Sequence, residues 1–157
     1  MADYPTKQIF GTAQTVIDTA TDVAAGNFSA TTTTFNNTND AAVPYAPYGK
    51  AVGSFPDWAA APVAGTVVEL WGLLQDVDST NDDTQAPSGT ASGGARYFGA
   101  FVISANDALQ RRTITISLLG VEKCDFYFKN GTAQNMNNDG GTNAIVKITP
   151  FTLGITV

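Results

Sequence analysis

Short runs of alternating apolar and polar residues recur along the chain, each bounded by Gly, Pro, Asn or Asp, and this period of two marks half-buried β-strands. In Thr66–Gln75, Val68, Leu70 and Leu74 fall on one face, while Val67, Glu69, Trp71 and Gln75 fall on the other. In Arg111–Leu119, Ile114, Ile116 and Leu118 alternate with Thr113, Thr115 and Ser117. Lys123–Lys129 turns Cys124, Phe126 and Phe128 inward and Asp125, Tyr127 and Lys129 outward, and then meets Asn130-Gly131, a two-residue hairpin signal. Arg96–Ser104 is apolar or small at nearly every position, which predicts cover on both faces.

Further strands are expected at Gln14–Asp18, at Phe28–Phe35, and in a closing pair, Ala144–Thr149 and Phe151–Val157. Pro150 separates that pair and cannot donate to a ladder, so it predicts a bulge or an edge. Helix signals are poor. Ser104–Arg111 is about two turns long at most, and reads as a loop or short helical turn. Roughly eight to ten short strands, with no alternating helices and no Cys and Trp framework, predict an all-β, single-domain β-sandwich, with jelly-roll topology favoured over immunoglobulin-like. The expected organisation is an N-terminal arm at 1–12 and a sandwich at 13–157, interrupted by a long polar loop at 76–94.

Composition adds a surface low in charge. Only 14 % of the 157 residues are charged, well below the roughly one quarter usual for soluble domains. Thr, Asn, Ala, Ser and Gly fill the difference, which suits turns, exposed β-surface and surfaces covered by another protein. The net charge is -6, and Arg111-Arg112 is the one basic pair, so nucleic acid is not an expected partner. The first residues, Met-Ala-Asp-Tyr-Pro, lack a basic start and apolar stretch, and no run nears the ~18 apolar residues of a membrane span, so no membrane partner is expected.

The chain contains no histidine, which removes the commonest general base and the usual imidazole metal ligand. Cys124, the single cysteine, reads as a small core residue. A carboxylate pair of Glu69 with Asp76 or Asp125 is the one remaining glycosidase-like arrangement, against which Glu69 has the alternation of an ordinary strand residue. The expectation is no enzyme and no cofactor. Asp76, Asp78, Asp82 and Asp83 form the one calcium candidate, but Asn81 and Pro87 stand where an EF-hand loop needs Gly and Glu, so a solvated acidic loop is the competing reading. Tyr45, Tyr48, Phe55, Trp58 and Trp71 are candidates for a sugar-stacking platform, set against a Pro-punctuated segment, Val43–Val63, that packs on a core or a neighbouring subunit.

The order of the motifs resembles a family of small virion structural proteins of tailed bacteriophages. It is carried by TDVAAGNFSATT at Thr21–Thr32, PYAPYG at Pro44–Gly49, AAAPVAGTVVELWGLLQDVDSTN at Ala59–Asn81, CDFYFKNGTAQ at Cys124–Gln134 and AIVKITPF at Ala144–Phe151. The chain departs from that pattern after Asp78, where Ser79-Thr80 replaces a Gly-containing turn. The resemblance implies a β-sandwich that decorates or cements a capsid, or sits on the tail or baseplate. It also implies a location in the virion, after synthesis in the bacterial host cytoplasm, and no catalytic residues. The expected partners are the major capsid protein and neighbouring copies. Tyr4, Ile9 and Phe10 in the arm, with Tyr45, Tyr48 and Trp58, are the expected contact residues. A carbohydrate-binding module is the alternative from a different class.

Overall fold

The computed structural model describes residues 6–75, 85–136 and 142–155. They form nine strands: β1 Thr6–Phe10, β2 Gln14–Thr19, β3 Phe35–Asn36, β4 Tyr48–Phe55, β5 Val67–Gln75, β6 Arg96–Val102, β7 Gln110–Ser117, β8 Lys123–Asn130 and β9 Ala144–Ile155. Among the described residues there is no helix, and two antiparallel sheets enclose the core. One sheet runs β1-β9-β4-β7, with β2 also on β9; the other runs β3-β8-β5-β6. The pairing is nested: β2 with β9, β3 with β8, β4 with β7 and β5 with β6. The chain is thus all-β, a two-sheet sandwich.

The alternation predicts the inward rows well. Val68, Leu70, Ile116, Leu118, Cys124, Phe126 and Phe128 are all buried in one cluster with Phe35, Phe55, Phe101 and Ile148. Phe55 packs edge-on against both Phe101 and Phe128, at 5.3 and 5.7 Å between ring centres, a geometry that aligns ring edge with ring face. At Gly72 the packing leaves no room for a side chain: a Cβ there would stand 2.5 Å from Cys124 Sγ and 2.6 Å from the Phe98 ring.

Several sequence expectations change. Asn130-Gly131 is not a hairpin turn, because β8 and the next strand, β9, lie in different sheets. Asn130 instead closes the crossover: its buried amide donates to Val23 O at 2.9 Å and Gln134 O at 2.8 Å, and accepts from Thr132. Pro150 does not end a strand; β9 runs through it. Its carbonyl accepts from Gly11 N at 2.8 Å, so its missing N–H faces the gap between β2, which pairs with residues 144–148, and β1, whose pairing with β9 begins at Phe151. Strand β6 is not covered on both faces: Tyr97 and Val102 are exposed. A shift of register between Leu70 and Trp71 leaves Phe98 without a partner on β5, and Phe98 joins the core instead.

Residues 104–109 form a loop closed by Gln110. Its side-chain amide donates to Ser104 O and Asn106 O, while its Oε1 accepts from Ser104 N. The segment from Thr6 to Phe10, expected within the N-terminal arm at 1–12, is a strand of the protein's own sheet, with Phe10 opposite Phe151. The long polar loop's first part, residues 76–84, lies outside the described residues, as does Tyr4.

Candidate interaction face on the first sheet

In β4, Gly49, Ala51, Gly53 and Phe55 are buried, so Tyr48, Lys50, Val52 and Ser54 point away from the core. The register then builds the outer face rung by rung, because directly opposed residues share a face. Ser117, Tyr48, Phe151 and Phe10 form one rung across β7, β4, β9 and β1. Thr115, Lys50 and Thr149 form the next, and Thr113, Val52 and Lys147 the one beyond it. Arg111, Ser54 and Ile145 complete the series, with Asp18 of β2 beside Ile145.

One end of this face is aromatic. Tyr48 stacks on Phe151 at 5.4 Å with planes 25° apart, and Phe10 packs on the other side of Phe151, also at 5.4 Å. Phe151 is thereby 6 % exposed, whereas Phe10 and Tyr48 remain 46 % and 37 % exposed. Leu153, next along the outer row of β9, is 54 % exposed. Exposed aromatic and aliphatic residues are thus grouped at this end of the face instead of scattered over it.

The other end is cationic. Lys50, Lys147 and Arg111 are exposed, and none of them has an ion pair among the described residues. Among the described residues of the strand register, the carboxylate bordering the face is Asp18, which accepts a 2.6 Å hydrogen bond from Asn143 Nδ2. In a chain with 14 acidic and 8 basic side chains, this is a local reversal of sign.

The sequence-derived candidates fall out differently. Phe10 and Tyr48, distant in sequence, meet through Phe151. Ile9 is exposed but lies on the opposite face of β1, where a Cβ on Gly154 would stand 2.6 Å from its Cδ1. Tyr45 is exposed in a loop at a φ of 53°, with its N–H donating to Asn37 O at 2.9 Å. Asn37 is itself buried and donates to Ala46 O and Val121 O, so it ties the Tyr45 loop to the β7–β8 connection. Trp58 is a correction: it is 4 % exposed and packs within the core instead of standing out on the surface. Phe55 is likewise core, so the five aromatics do not form one platform.

Trp71 belongs to a second cluster, on the outer face of the other sheet. Phe28 and Tyr97 pack edge-on against it at 5.8 and 5.5 Å, and its Nε1–H donates to Glu69 Oε2 at 2.9 Å. Lys129 Nζ lies 5.5 Å from the centre of the Phe28 ring. These rings stand across one another and the indole donor is engaged, which does not make the flat open platform that sugar stacking needs. Burial, and then the neighbouring charge of Asp125, raise the phenol pKa of Tyr127 beside them.

Glu69 and Asp125 do not form a carboxylate pair. Glu69 is opposite Lys129 and Asp125 is opposite Leu73, four residues apart on β5, or about 13 Å, beyond the roughly 5–9.5 Å of paired glycosidase carboxylates. Asp125 is occupied by Thr34 and Gln75, at 2.7 and 2.6 Å. The calcium candidates Asp76, Asp78, Asp82 and Asp83 lie outside the described residues.

Sequence reading missed Phe151 as the partner of Phe10 and Tyr48, and Leu153 and Lys147 as members of the same outer face. The available signal was the alternation Ile145, Lys147, Thr149, Phe151, Leu153, which continues across Pro150 as one outward row. Comparison with family models, curated proteins and solved structures gives no match.

Proposed function

We propose that this protein is a virion structural component of a tailed bacteriophage, a capsid decoration protein that cements the head by binding the major capsid protein and neighbouring copies. The contact surface in this reading is the outer face of the β1-β9-β4-β7 sheet, and the Phe10, Phe151 and Tyr48 stack is the single observation that carries it. Aromatic anchors of this kind, part buried and held by their neighbours, supply most of the energy of protein contacts, at about 2 kcal/mol or more each.

Two further features support the reading. The ordered motifs from Thr21 to Phe151 resemble those of virion structural proteins. The nested strand pairing is read as a jelly roll, with β2-β9-β4-β7 facing β3-β8-β5-β6, an architecture frequent in viral capsid and lectin domains. That second support is an analogy of fold, and function rests on the face. Mechanistically, many copies repeat one modest contact over a symmetric shell, and the summed contacts hold the joints between capsomers.

The test is imaging of purified virions that carry a labelled copy of this protein. Density distributed over the head is the expected result. Density on the tail alone would replace decoration by a tail or baseplate role, and absence from virions would overturn the whole reading. A glycan array with the wild-type protein serves the remaining alternative, and binding there that is lost in Trp71→Ala would favour a carbohydrate-binding module.

A further inference from the structure

On the outer face of the first sheet, Arg111, Ser54 and Lys147 surround a shallow depression of about 230 Å³ whose apolar walls are Val52 and Ile145. Ser54 sits directly between Arg111 and Ile145, and Val52 directly between Thr113 and Lys147, so the two cations approach the depression from β7 and β9, on opposite sides of β4. Lys50 stands on the next outward position of β4, diagonal to Lys147 at roughly 7–8 Å between strand positions.

Like charges grouped on one sheet face repel, and a carboxylate among them relieves that repulsion. This chain has 14 carboxylates and 8 cations, yet Arg111, Lys147 and Lys50 have no ion pair among the described residues. Asp18, the nearest carboxylate in the register, stands beside Ile145 and diagonal to Lys147, two strands from Arg111's neighbour Ser54, and accepts a hydrogen bond from Asn143. Among the described residues no carboxylate pairs with these cations, and they present donors that suit an external anion. A guanidinium offers a fork of donors suited to a planar carboxylate, the Lys147 ammonium a point charge, and Ser54 a hydroxyl donor between them.

Resting on the reading of this face as a docking surface, we infer that the depression is a carboxylate receptor that takes an Asp or Glu side chain of the partner protein. The apolar walls desolvate the carboxylate's methylene stem, while the Phe10, Phe151 and Tyr48 rung receives an apolar residue of the same partner further along the face. An acidic patch with an adjoining apolar residue is thus the complementary surface. Charge complementarity of this kind sets specificity and the rate of encounter, and it weakens with salt.

The experiment is an amide chemical-shift titration of the isolated protein with the capped peptides Ac-Glu-Phe-Glu-NH2 and Ac-Gln-Phe-Gln-NH2. The Glu peptide is expected to shift the amides of Ser54, Ile145 and Lys147, and to bind more weakly by roughly two- to fivefold in each of Arg111→Gln and Lys147→Gln. The Gln peptide is expected to leave those amides in place. Equal binding of the two peptides, or unchanged binding of the Glu peptide in both variants, would overturn the inference, as would tighter binding of a hexathymidylate at the same amides. The spectra report directly that each variant is folded. Loss of the peptide effect with head binding retained refutes the receptor alone, whereas loss of head binding with the peptide effect retained refutes the virion reading alone.

Discussion

Tyr48 and Phe151 stack face to face on the solvent side of the first sheet, with ring centres 5.4 Å apart and planes at 25°. Neither ring contributes to the core between the sheets, since the inward neighbours of Tyr48 on β4 are Gly49 and Ala51. Phe10 extends the stack across β9. The row of rings lies outside the core between the sheets, with Phe10 and Tyr48 exposed at its ends.

The first prediction separates these roles. Tyr48→Ala removes a half-exposed ring, so it is expected to change unfolding free energy by about 1 kcal/mol or less in a urea titration. In equilibrium binding to purified heads it is expected to cost about 2 kcal/mol, or roughly 30-fold in affinity. A large loss of stability with unchanged head binding would make the stack structural.

Gln14 provides the second. Its side-chain amide donates to Asn36 O at 2.8 Å and accepts from Asn36 N at 2.9 Å, so one side chain substitutes for a rung of ladder between β2 and β3, which belong to different sheets. Gln14→Ala leaves two partly buried backbone groups without that partner, and is expected to lower stability by about 1–3 kcal/mol by chemical denaturation. A change within about 0.5 kcal/mol, as at an ordinary surface site, would show that water replaces the rung.

How far such features are legible in the sequence follows from their range. The inward rows of β5, β7 and β8 are local, and alternation places Val68, Ile116 and Phe126 correctly. The Gln14 and Asn36 rung, the core position of Trp58 and the meeting of Arg111 with Lys147 depend on which strands become neighbours. Alternation carries no information about that, because any outward row can pair with any other of matching length. Asn130-Gly131 misleads for a related reason: its turn propensity is real, but the buried Asn130 amide is engaged by Val23 and Gln134, and the chain leaves for the other sheet. Thr6–Phe10 is short and half polar, and it becomes a strand only because β9 extends past Pro150 to receive it.

Gly72→Ala is the third prediction. The added methyl meets Cys124 Sγ and the Phe98 ring, neither of them a flexible side-chain end at the surface, so overpacking of about 1–3 kcal/mol is expected. For a chain of this size that corresponds to a fall in melting temperature of about 2–4 °C per kcal/mol. A melting temperature equal to that of the wild type would show that Cys124 and Phe98, its neighbours on β8 and β6 of the same sheet, yield to the methyl at no cost.

Acid pH supplies the fourth. Asp40 accepts from the N–H of Thr12 and, at 2.9 Å, from that of Ala42, and these backbone donors hold its carboxyl pKa below the ordinary 3.8. A depressed folded-state pKa contributes stability that is present above the unfolded value and lost as pH falls through the folded one. The melting-temperature advantage of the wild type over Asp40→Ala is therefore expected to hold from neutral pH down to about 4 and to shrink below it. An advantage that grows towards low pH would contradict the clamp.

Cys124 supplies the fifth. The thiol is buried, and burial, followed by the neighbouring charge of Asp125, raises its pKa against a smaller opposing effect of Arg96. Since the thiolate is the reactive species, a thiol reagent such as dithionitrobenzoate is expected to leave the native protein unmodified and to label one equivalent in denaturant. Rapid labelling under native conditions would show that the β5–β8 region opens readily.

The central claim is that the outer face of the β1-β9-β4-β7 sheet is the surface this protein presents to a virion head, and a reconstruction of decorated heads at side-chain resolution tests it most directly. The account predicts Phe10, Phe151 and Tyr48 buried against the shell protein, with a shell carboxylate between Arg111 and Lys147. A reconstruction in which that face is turned to solvent, with contact made through the Trp71 cluster or the loops instead, would contradict it.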